Sequence, residues 1–214
     1  MNAFAIAAIP ARYALERGAW AEAAALTPRP ATTPYTEAIT SFARALGAAR
    51  SGNPAAASAD IERLAMLRDK EQEIKGAYWT EQIDIQRRVA LAWQTFAMGN
   101  KKEGLAQLSA AADAEDLTDK SAVSPGPLAP ARELFGYMRL AAGQAREALV
   151  AFEATLKKEP NRFRGLHGAA RAAETLGDRA KATVYYRKLL EAAKDADTER
   201  PELQHAKKYA GGRR

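Results

Sequence analysis

Five glycines, Gly18, Gly52, Gly99, Gly143 and Gly177, punctuate this chain, and each is flanked by small residues at fixed offsets. Five positions after them stand Ala23, Ala57, Gly104, Ala148 and Ala182; seven positions before them stand Ala11, Ala45, Ala92, Gly136 and Ala170. A glycine that ends a helix takes up a left-handed backbone conformation that costs a residue bearing a Cβ. The chain then turns and returns as an antiparallel helix. Small residues on both sides of the turn are what two helix axes need where they come closest. The register therefore predicts five helix-turn-helix hairpins.

The spacing between glycines is 34 residues from Gly18 to Gly52 and again from Gly143 to Gly177, with 47 and 44 between them. The two longer intervals leave room for insertions. Nine residues after the glycine, four units carry a larger apolar side chain, Ile61, Leu108, Phe152 and Tyr186, suited to filling the space between one hairpin and the next. The first unit has Thr27 at this place, and Pro28, Pro30 and Pro34 cut its second helix short. An alanine-rich composition with few β-branched residues agrees with closely packed helices. No extended Val/Ile/Thr alternation suggests a strand.

With its 34-residue period, its small residues, Phe152 and Tyr186 at the bulky position and a closing proline at Pro160, the chain resembles the tetratricopeptide repeat (TPR) family. The last two units carry the resemblance best in their letters, the other three in their spacing. The family's bulky residue near the start of the first helix is Leu166 in the final unit, and Arg132 takes that place in the unit before. The segment "EPNRFRGLHGAARAAE" is also similar to the C-terminal part of bacterial multi-TPR proteins of unassigned function. The resemblance implies an all-α fold: an α-solenoid of about five TPR-like antiparallel hairpins, one domain over 1–210. A C-terminal helix from about Thr198 to Tyr209 would cap the open end. Residues 211–214 are expected to be a disordered tail.

Two stretches interrupt the register. "LRDKEQEIKGAYWTEQIDIQRRVALAWQTFAMG" predicts a lengthened helix, a break near Gly76 and a long helix reaching Met98. "DAEDLTDKSAVSPGPLAPARELF" is acidic and then rich in proline and glycine, which predicts an irregular loop and a helix beginning around Pro130.

Several kinds of chemistry are excluded or unsupported. Without cysteine there are no disulfides, thiolate metal sites or cysteine nucleophiles. His167 and His205 belong to no metal-binding spacing, and "GLHGAAR" follows no strand and so makes no phosphate loop. Most carboxylates fall beside Lys or Arg on solvent faces. The chain is read as non-catalytic, with no cofactor and no metal. No apolar run approaches the roughly 18–20 residues of a membrane span, so no membrane partner is expected. The first residues lack a basic n-region, which predicts a helix and a cytoplasmic protein, periplasmic if an export signal has been removed.

What remains is binding. In repeats of this kind the first helices line the concave face, and the register puts Phe42, Leu46, Trp93, Phe96, Glu133, Tyr137, Arg164, His167 and Arg171 on or near it. Aromatic anchors beside guanidinium groups suit an extended peptide with a carboxylate, or a partner helix. Trp93 and Phe96 fit core packing as well as groove exposure. Arg164 and Arg171, seven residues apart, fit a solvated surface as well as a ligand role. Tyr78 and Trp79, at the start of the long inserted helix, are further candidates for partner binding. The expected function is a protein-protein interaction scaffold, and an exposed solenoid end could also pair as a homodimer. The rival reading is nucleic-acid binding through the last quarter, since residues 160–214 carry 13 basic and 7 acidic side chains whereas residues 1–159 carry 19 of each. Those basic residues are mixed with acids and have no regularly interleaved aromatics, which disfavours nucleic acid.

Overall fold

A computed structural model of the protein describes residues 3–28, 33–118, 126–198 and 200–211. Among these residues the fold is all-α, with no strand. Eleven helices follow in order: α1 (Ala3–Glu16), α2 (Trp20–Ala24), α3 (Pro34–Arg50), α4 (Ala57–Glu73), α5 (Ala77–Ala97), α6 (Lys101–Asp116), α7 (Ala131–Ala141), α8 (Ala145–Lys158), α9 (Phe163–Thr175), α10 (Arg179–Ala192) and α11 (Pro201–Gly211). The chain comprises two compact units, Met1–Ala131 and Arg132–Arg214.

The first ten helices form five pairs, and every pair turns at an expected glycine. Gly18, Gly52, Gly99, Gly143 and Gly177 have φ of 63°, 92°, 101°, 77° and 74°. At each turn the residue after the glycine donates its backbone N–H to a carbonyl five residues back: Ala19 to Ala14, Asn53 to Ala48, Asn100 to Thr95, Gln144 to Arg139 and Asp178 to Ala173, all at 2.9–3.2 Å. This is the Schellman closure, which satisfies a carbonyl that the helix end would otherwise strand. The small residues flanking the turns are buried in all five pairs.

Gly104 shows how close the approach is. A Cβ built there would lie 2.8 Å from the Ala92 carbonyl oxygen and 2.8 Å from the Phe96 nitrogen. Both are backbone atoms and cannot rotate away. Gly104→Ala is therefore expected to force α5 and α6 apart and to lower stability by about 1–3 kcal/mol, despite the helix propensity alanine adds. A urea titration of the variant checks this; an unchanged or raised midpoint would contradict so close a crossing.

In the first unit α2 is only five residues long, as its prolines imply, and Pro34 opens α3 at its first turn, where a missing N–H costs nothing. Pro30 lies outside the described residues. The first insertion lengthens α4 and α5 about a break at Ile74–Gly76, where Lys75 carries the positive φ of 58°. The second differs from expectation at its start: Asp113 to Asp116 continue α6 rather than opening a loop. Residues 119–125 of the expected loop lie outside the described residues. Arg50 of α3 is held between two indoles, its guanidinium carbon 3.7 Å from the Trp20 ring centre and 4.2 Å from that of Trp93. This cation–π stack ties α2, α3 and α5 together.

In the second unit one apolar cluster joins α8, α9, α10 and α11, with Phe152, Leu166, Tyr186 and Leu203 in its centre. The final helix lies a few residues later than expected, from Pro201, and packs on this cluster through Leu203 and Ala206. Gly211, expected in the tail, is its last residue; 212–214 lie outside the described residues.

Candidate partner-binding face

The face expected from the register is built on α7 and α9 in the second unit. Glu133 and Tyr137 are one turn apart on α7; Arg164, His167 and Arg171 follow one stripe of α9. The structure brings these residues together and divides them by exposure. Glu133 is fully buried at 0% exposure, and Arg164 is 6% exposed. The Glu133 carboxylate accepts from Arg162 Nε at 2.6 Å and lies 3.4 Å from Arg164 Nε. These charges face each other, so Glu133 and Arg164 hold α7 against α9 and are not offered to a partner. The correction has a simple cause. Arg162, at the entry to α9, supplies a second guanidinium that closes over the carboxylate.

Tyr137 is half-buried on the rim of this cluster. Its hydroxyl donates to the Arg164 carbonyl at 2.8 Å and lies 3.5 Å from His167 Nδ1. Its ring sits under the Arg164 guanidinium and edge-on to Phe152. Arg171 is the exposed member, with its side chain 51% accessible and Nε 3.8 Å from Glu174. Glu174 in turn accepts from the Tyr186 hydroxyl at 2.5 Å and lies 2.9 Å from His205 Nε2. His205 therefore links α11 to α9.

His167 is half-buried beside Arg164 and Arg171. Burial foremost pushes its pKa down to about 4; Glu202 opposes the shift, and Arg171, Arg164 and His205 add to it. The folded protein thus holds a neutral imidazole where the unfolded chain binds a proton from about pH 6.5 downward. This group leaves stability unaffected above that pH, and stability falls as the pH drops from about 6.5 towards 4. His167→Gln is expected to flatten this part of a stability–pH profile measured by urea midpoints. Identical slopes in the two proteins would remove His167 as the cause.

The remaining candidates lie in the first unit. Trp93 and Phe96, at 5% and 9% exposure, belong to the core, as do Phe42 and Leu46. Trp93 is committed to the Arg50 stack and presents no surface for a partner. Tyr78 and Trp79 are half-buried in an aromatic cluster. Trp79 stacks on Tyr35 with ring centres 4.2 Å apart, close to Phe4 at 6.0 Å and Tyr78 at 5.0 Å. Beside them Gln82 Nε2 and Gln86 Oε1 are buried without hydrogen-bond partners among the described residues. The crevice they share with these rings has about 20 Å³ of space, room for roughly one water and not for a peptide side chain.

Among the described residues, no three or more His, Cys, Asp or Glu side chains are grouped to hold a metal ion. Among the described residues no helix is long and apolar enough to cross a membrane. Comparison with family models, curated proteins and solved structures finds no match to this chain.

Proposed function

We propose that the chain is a TPR-like α-solenoid acting as a non-catalytic protein-interaction scaffold, which binds a peptide or a partner's helix on the face formed by its first helices. The observation that carries this reading is the repetition itself. Five hairpins share one left-handed glycine, one Schellman closure and one pair of small residues. A fold built by repeating such a unit gains a long surface rather than a single cleft. Because the helices are already packed, the scaffold loses little conformational freedom on binding.

In the second unit the binding group is narrower than the sequence suggests: Tyr137, His167 and Arg171, supported from beneath by Glu133, Arg162 and Arg164. Tyr137 supplies apolar area, and Arg171 supplies an exposed guanidinium suited to a carboxylate. The test is a pull-down from source-cell extract comparing wild type with Arg171→Glu and with Met66→Glu, a change at an exposed position of α4. The expected result is a protein partner retained by Met66→Glu and lost by Arg171→Glu, with unchanged helical circular dichroism. A partner set identical in all three proteins would overturn the assignment of this face.

A further inference from the structure

The second helices of the last two hairpins border a groove that does not include Tyr137, His167 or Arg171. It has about 440 Å³ of space and runs between α8 and α10 beside the turn at Pro160. Leu156, Leu166 and the Tyr185 ring line its apolar part, with Val150 and Ala154 along α8. Val150 is 63% exposed, and on α10 Val184 is 50% exposed. Isolated exposed valines need no explanation, but here one of them borders a concavity that is already apolar.

Charge sets what could enter. Three ionisable groups besides the tyrosine border the groove: Glu153, Lys157 and Lys188. Glu153 is already engaged, accepting from the Tyr185 hydroxyl at 2.9 Å and paired with Lys181 Nζ at 3.3 Å. Burial and this carboxylate push the Tyr185 phenol well above its usual range, so it stays a neutral donor. Lys157 and Lys188 are exposed and have no ion-pair partner among the described residues. An apolar floor bordered by two unpaired lysines complements a segment whose apolar side chains are accompanied by carboxylates. A basic or neutral segment would leave both lysines uncompensated.

We propose that the α8–α10 groove is a second docking site, for an acidic amphipathic peptide segment of a protein partner. Its apolar side chains rest on Leu156, Tyr185 and Val150, and its Asp or Glu residues meet Lys157 and Lys188. This site shares no residue with Tyr137, His167 and Arg171, so a partner could engage both at once and gain affinity by linkage.

A random peptide library selected on the whole protein tests this, with the selected peptides measured by fluorescence anisotropy against three proteins. These are wild type, Lys157→Glu/Lys188→Glu and Arg171→Glu, each matched in circular dichroism and urea midpoint. The expected outcome is enrichment of peptides with apolar residues flanked by Asp or Glu. Their affinity should fall by about tenfold or more in the double lysine variant and stay unchanged in Arg171→Glu. Peptides that respond only to Arg171→Glu would overturn the groove and leave the first-helix face standing. The groove is equally overturned by basic peptides, by no enrichment, or by dodecanoate binding in a lysine-dependent way where peptides do not. Self-association of the protein lost in the lysine variant would put a second copy there instead and overturn the peptide assignment.

Discussion

Glu133→Ala is expected to lower the stability of the protein by about 3–5 kcal/mol. Its carboxylate is fully buried and faces two guanidiniums whose side chains are only 9% and 7% exposed. Removing it takes the buried counter-charge from two guanidiniums that have little access to water, although Arg162 keeps Glu159 at 3.6 Å, and much of the desolvation cost that Glu133 had offset becomes unopposed. Glu133→Gln keeps the shape and a hydrogen-bond acceptor, and should lose part of that amount. The measurement is a urea titration of each variant. A loss below about 1 kcal/mol for the alanine variant would mean that the cluster is screened like a surface ion pair. The same measurement bears on function, because the cluster sets the position of Tyr137 and of the α9 stripe that carries His167 and Arg171.

Phe152→Ala should cost a similar amount, about 3–5 kcal/mol, for a different reason. Phe152 is fully buried in the second unit, and its ring lies against two glycines on neighbouring helices. A Cβ on Gly136 would come within 2.8 Å of the ring, and one on Gly168 within 2.3 Å. The ring thus sits in a slot cut by the missing side chains of α7 and α9. Truncating it opens a cavity that the helices cannot close without unpacking from each other. The reciprocal change, Gly168→Ala, adds helix propensity of up to about 1 kcal/mol but overpacks the slot by about 1–3 kcal/mol, so a net loss is expected. Combining it with Phe152→Leu should give a smaller loss than the two single changes added together, since each relieves the other. Simple additivity in such a cycle would show that the ring and the glycine do not meet.

The hairpins were legible because their signals are local. A left-handed glycine, a small residue five positions on and a bulky residue nine positions on can be read within one window, and the break before α5 announces itself in the same way. The sequence also anticipates the short second helix of the first pair from its prolines. What eluded the sequence depends on contacts distant along the chain. Periodicity placed Glu133 and Arg164 on the right stripes but could not tell that Arg162, 29 residues from Glu133, would close over the carboxylate. Trp93 fits core and groove alike in the sequence, and only the structure shows the Arg50 guanidinium stacked on it and the residue buried. Gly136, read as the small partner of Ala148, also makes room for Phe152, which is visible only when α7 is set against α8.

The proposal of an interaction scaffold rests on a surface, and the most direct test asks whether a partner touches it. Thr175 is exposed on α9 one turn beyond Arg171. A photo-crosslinking amino acid placed there, with Met66 of α4 as the reference position, should capture a discrete protein adduct from source-cell extract at position 175 and none at position 66. The same adduct should disappear when Arg171→Glu is added. Equal labelling at both positions, or an adduct at 175 indifferent to Arg171, would contradict the account that a partner is bound on the first-helix face.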